Sequence, residues 1–188
     1  MSFTVVHRDH TALTKAPPTE PETSRLHWIE TEAAGRIAIA ARPRAGEWLD
    51  IEIEEWKRSS IDIVVSLLEP DEISELGLHR EAELCRHHAI EFISFPIADR
   101  GLPESEADSL IIARRLADFI REGKTVAIHC RAGIGRSSVS AASALICLGV
   151  EATDALARIS ASRGLIVPDT DEQRDWVIAF GENHHLGA

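Results

Sequence analysis

The hydrophobic and polar positions change period several times along the chain, and the changes mark out its elements. The first 24 or so residues show little periodicity and carry Pro17, Pro18 and Pro21 among Thr and Glu, so they read as a loosely held N-terminal arm. Short strands are expected at 26–30 and 36–40, pairing antiparallel at a sheet edge. Arg42-Pro43-Arg44-Ala45-Gly46 reads as a turn and 47–58 as a helix. The apolar runs at 61–68, 90–97 and 125–129 have the look of strands covered on both faces. Two short helices, broken at Gly77, are predicted between the first two of these runs. A longer helix near 104–122 lies before the third, with Leu110, Ala113, Ala117 and Ile120 on one face and Asp108, Arg115 and Asp118 on another. A helix of small and apolar residues follows the third run as far as Leu148, and further helices are expected near 152–162 and 170–181. Strands alternating with helices predict an α/β fold, a largely parallel sheet of four to five strands flanked by helices.

The length, 188 residues, suits one domain over 25–188, large enough to need no disulfide or metal for stability. Net charge is −11, a poor match to nucleic acid or an anionic membrane, so neither is expected as a partner. Three cysteines form no paired framework, residues 1–25 hold no signal-peptide core, and no apolar run reaches membrane-spanning length. The expectation is a soluble, cytoplasmic protein. Oligomeric state is not legible here.

The third strand runs straight into His129-Cys130-Arg131-Ala132-Gly133-Ile134-Gly135-Arg136-Ser137 and then into a helix. Strand, glycine-containing loop and helix N-terminus make an anion site, because the first amides of a helix are unpaired and its dipole is positive there. Gly133 and Gly135 let successive N–H groups converge. Arg136 adds a planar fork suited to two phosphate oxygens. Cys130 lies at the bottom of that cradle, where the field that holds an oxyanion also favours a thiolate nucleophile.

These residues match the pattern His-Cys-x-x-Gly-x-x-Arg-Ser/Thr, and the chain resembles the cysteine-dependent protein tyrosine phosphatase superfamily. Pro96-Ile97-Ala98-Asp99-Arg100-Gly101-Leu102-Pro103, with Asp99 31 residues ahead of Cys130, is similar to the general-acid loop of its small dual-specificity branch. The resemblance spans roughly residues 26 to 180. It implies a two-step displacement without metal or cofactor. Cys130 attacks phosphorus, Arg136 and the amides of Arg131, Ala132, Gly133, Ile134 and Gly135 hold the phosphoryl oxygens, and Asp99 protonates the leaving oxygen. Ser137 hydrogen-bonds the sulfur, and His129 holds the loop through its ring nitrogens. The glutamine that positions the hydrolytic water in tyrosine-specific members aligns with Asp169, and Gln173 follows four residues later. A capping box with Thr170 is the preferred reading of Gln173.

The implied substrate is a phosphorylated protein or peptide, phosphotyrosine first and phosphoserine or phosphothreonine behind it. The absence of tyrosine from the chain favours a shallow pocket, and Ile134 stands where phosphoinositide-specific relatives often carry a second basic residue. Alternatives are a weak or inactive phosphopeptide-binding module, or a phosphatase of small-molecule, phosphoinositide or RNA phosphates. Structural readings stand beside the chemical ones. Asp99 could serve as a turn residue, Ser137 as a helix cap, and Cys85-Arg86-His87-His88 as a solvated helix end rather than a zinc site. Arg42 and Arg44 could meet substrate at the rim or face solvent.

Overall fold

The computed structural model describes residues 25–184; the expected N-terminal arm lies outside them. Five strands form one sheet: β1 (His27–Ile29), β2 (Arg36–Ala41), β3 (Ile63–Ser66), β4 (Glu91–Ser94) and β5 (Thr125–Cys130). Their order is β1-β2-β5-β3-β4. Only β1 runs antiparallel to its neighbour; β2, β5, β3 and β4 are parallel. Seven α-helices connect and follow them: α1 (Leu49–Arg58), α2 (Pro70–Leu76), α3 (Glu81–His87), α4 (Glu106–Arg121), α5 (Arg136–Cys147), α6 (Ala152–Arg163) and α7 (Asp171–His184). The expected α/β architecture is thus the observed one, at the upper end of the expected strand count. β3 itself is shorter than the apolar run 61–68 that announced it, although the Leu67 N–H still donates to the His129 carbonyl at 3.0 Å and Ile61, Leu67 and Leu68 are all buried.

Side chains alternate faces along each strand, and that period divides the core in two. Ile37, Ile39, Ile63, Val65, Val126 and Ile128 pack with residues of α4, α5, α6 and α7. Ala40, Val64 and Ala127 meet Leu49, Ile53 and Trp56 of α1 and Leu84 and Cys85 of α3 on the other face. All twelve residues of α5 are buried, which explains its Ser- and Ala-rich sequence: small side chains let α4, α6 and α7 approach it closely. The helix after β2 therefore covers one face and the helix after β5 covers the other. Adjacent parallel strands whose connections diverge in this way open a crevice at their carboxyl ends, and β5 delivers Cys130 into it.

Candidate active site

The chain turns at once after Cys130. Gly133 takes φ +67°, and a Cβ there would run into the backbone of Ala40 and Ala41 on β2. Only glycine fits that approach. The Arg42 amide donates to the Arg131 carbonyl at 3.4 Å, fastening the loop to the end of β2. Gly135 caps α5, and Arg136 is its first residue. The Gly133 N–H points inward to Cys130 Sγ at 3.3 Å, and Ser137 Oγ lies 3.6 Å from the same sulfur. The sulfur thus faces the turn of the loop, within reach of one of its amides and one hydroxyl. It lies at the base of a cavity of about 220 Å³ walled by the loop, by Asp99 and Arg100 on one side and by Asp169 on another.

Arg136 is 2 % exposed and held from three directions. Nη1 donates to Glu72 Oε2 at 2.6 Å and to the Ile97 carbonyl at 2.9 Å; Nη2 donates to Glu72 Oε1 at 2.9 Å and to Asp99 Oδ1 at 3.0 Å. Nε–H has no partner among the described residues. Glu72 was not foreseen from sequence. It is the N3 residue of α2, where its Oε2 also accepts the Glu69 N–H at 3.0 Å in a capping box. Burial would push the Glu72 carboxyl up, but the Arg136 guanidinium and the Glu69 amide together hold it below its ordinary value. Arg131 makes a two-pronged contact with Glu75, one turn further along α2, at 2.7 and 3.1 Å.

Two expectations need correction. The His129 ring does not reach the loop. Strand alternation turns it to the face opposite Cys130, where Nε2 lies 2.8 Å from Glu81 Oε1 and the ring sits 5.9 Å from that of Trp56. The contact is not an aligned hydrogen bond, since among the described residues neither ring nitrogen has a hydrogen-bond partner. Nor does Gln173 close the capping box. Its backbone N–H donates to Thr170 Oγ1 at 3.1 Å, but its buried side chain turns away, and Nε2 donates to the Gly101 carbonyl of the Asp99 loop at 2.9 Å. A Cβ on Gly135 would collide with Asp169 and with Gln173 Oε1, so both side chains crowd against the amide loop.

Arg42 and Arg44 are half-buried rather than solvated. Arg44 donates to the buried Glu52, and Arg42 Nη1 to the Pro43 carbonyl at 3.2 Å; neither lines the cavity. Cys85 and Cys147 are buried, which pushes both thiols up. No cluster able to hold a metal occurs among the described residues, and no helix there is long and apolar enough to cross a membrane. Arg163, at the end of α6, touches the loop from outside and carried no local sequence signal.

Fold and loop together define the class: a phosphatase of the dual-specificity and protein tyrosine phosphatase type. A family model described as "Tc-R-P: Polymorphic toxin system, DSP-PTPase phosphatase" matches residues 40–150, and the chain belongs to that family. Among solved structures, Tk-PTP in a glycine-to-alanine mutant form is 30% identical, covering 82% of this chain and 95% of its own, with a TM-score of 0.66. Kinase associated phosphatase, crystallised with its catalytic-site cysteine replaced by serine, superimposes with a TM-score of 0.80 over 90% of this chain and 100% of its own. At 21% identity that likeness is one of fold. The same holds for PTPMT1 in complex with PI(5)P, at 17% identity, TM-score 0.66 and coverage of 83% and 96%. No curated protein matches the sequence.

Proposed function

We propose that the protein hydrolyses phosphotyrosine, and more slowly phosphoserine or phosphothreonine, in proteins through a phosphocysteine intermediate. The Cys130 thiolate attacks phosphorus as the bond to the leaving oxygen breaks, and Asp99 gives that oxygen its proton. The loop amides of residues 131–136, with Arg136 Nε and Nη2, hold the three equatorial oxygens. The incoming dianion takes over the hydrogen bond that Nη2 makes to Asp99, freeing the carboxyl for the leaving group. Water then attacks phosphorus, the P–S bond breaks, and Asp99 recovers a proton from that water. Ser137 donates to the departing sulfur. Asp169, with Gln173 behind it, orients the water.

The observation that supports this reading is the convergence of the Gly133 amide and the Ser137 hydroxyl on Cys130 Sγ at the base of a cavity walled by Arg136 and Asp99. The protein substrate is favoured by the apolar Ile134 in the loop and by the acidic body, both unsuited to a polyanionic lipid headgroup. Family membership suggests that the activity serves a polymorphic toxin system.

A phosphopeptide panel with an aryl phosphate as reference tests the assignment. Turnover should survive chelators and vanish in Cys130→Ser. Asp99→Ala should slow substrates with poor leaving groups most. Phosphopeptide binding without turnover in reducing buffer identifies a binding module instead, and preference for a phosphoinositide or nucleotide overturns the protein substrate.

A further inference from the structure

An amide cradle works only if its peptide groups point one way: N–H toward the anion, C=O away from it. The outward carbonyls then need donors, and in this chain one side chain supplies two of them. Arg163 Nε donates to the Gly133 carbonyl at 2.8 Å and Nη2 to the Ala132 carbonyl at 3.1 Å. These are the carbonyls of the two peptides whose amides belong to Ile134 and Gly133, the second of which faces Cys130 Sγ. Arg163 is itself oriented from its far side. Nη1 donates to His27 Nε2 at 2.7 Å, while His27 Nδ1–H donates to the Ser162 carbonyl at 3.1 Å. With Nδ1 as donor and Nε2 as acceptor, this network holds the ring in one neutral tautomer.

We propose that His27 and Arg163 are a positioning pair for the phosphate loop, locking its amides inward only while His27 is neutral. A proton on Nε2 turns the acceptor into a donor facing the Nη1 donor, cation against cation, and the fork lets go of the carbonyls. The groups facing the ring disfavour that proton. Arg163 approaches from α6 and Arg25 from the segment before β1, while the residue opposite on β2 is the uncharged Ile39. Burial, followed by these two cations and against the Ser162 carbonyl, holds His27 below its ordinary value of 6.5. A His kept neutral in the folded state contributes its full stability above that value and loses it as pH falls through the lowered one. The cradle should therefore loosen in acid.

The inference rests on the loop being a phosphate cradle, and the experiment separates the two ideas. Sulfate stays a dianion over the whole range, and Cys130→Ser removes the thiol's own titration. Sulfate affinity of the Cys130→Ser protein, read from the Gly133 and Ile134 amide resonances, should fall about tenfold as His27 protonates, roughly one lost hydrogen bond. His27→Gln keeps an acceptor at every pH and should abolish that fall. Arg163→Lys keeps the charge without the fork and should weaken sulfate about tenfold at neutral pH. In the unsubstituted protein the same two amides should titrate in step with the His27 ring. If sulfate binds more tightly as His27 gains its proton, the ring acts only as a distant charge and the proposal fails. An equal fall in His27→Gln also overturns it. Absence of sulfate binding at any pH overturns the cradle itself.

Discussion

Glu72 shows how much of the site depends on a side chain that never touches the phosphorus atom. The Arg136 guanidinium must lie flat and face the pocket, and a buried arginine has no water to satisfy its five N–H groups. Glu72 takes two of them in a fork, and its own position is fixed by the capping box at the start of α2. Glu72→Gln should lower kcat/KM about a hundredfold, the scale of an ångström-level misplacement. It should also cost about 3 kcal/mol of stability, because a buried guanidinium loses its charge partner. The pH dependence gives a second readout. The carboxyl is held below its ordinary value of 4.5, so its contribution is complete above that pH and is lost as pH falls through the lowered value. Urea melts should show the native protein losing stability more steeply than Glu72→Gln in that acid window. Equal slopes contradict the assignment.

At the scale of elements, α7 and the Asp99 loop are coupled through one amide. Gln173 reaches from the first turn of α7 to the Gly101 carbonyl, and Gly135 leaves room for it beside the phosphate loop. Gln173→Ala should free the acid loop: faster hydrogen exchange over residues 98–103 and a fall in kcat of about tenfold, larger than any change in KM. Unchanged exchange there would separate α7 from the acid loop. The elements themselves were legible because their signals are local. Apolar runs marked β3, β4 and β5, Gly77 marked a helix end, and the stripe of Ala113, Ala117 and Ile120 marked the buried face of α4. The Cys130–Arg136 loop was legible from its strand, glycine loop and helix N-terminus, and Asp99 from the resemblance of its loop to the family's. Glu72, Arg163 and the reach of Gln173 were not, because each meets the site through a contact dozens of residues away in sequence, with nothing nearby in the chain to announce it. His129 is a different case. Strand alternation already places it on the face opposite Cys130, and the motif reading drew it back toward the loop.

For the molecule as a whole, sheet order and helix placement converge on one point. The crevice at the end of β5 collects the loop of β5, the α2 carboxylates that follow β3, the Asp99 loop after β4 and the α6–α7 connection with Asp169, where the proposal sets a local cradle for an anion within a body of net charge −11. In the proposed mechanism a field of the wrong sign at long range is overcome at contact by oriented amides and one guanidinium, which act over a few ångströms. The proposed mechanism requires that the phosphoryl group pass through sulfur. Rapid acid quench of the Asp99→Ala protein during turnover of an aryl phosphate, followed by peptide mass analysis, tests that directly. The expected result is one phosphoryl group on the peptide carrying Cys130, absent in Cys130→Ser. Turnover that persists in Cys130→Ser, or a phosphoryl group found on another residue, would contradict it.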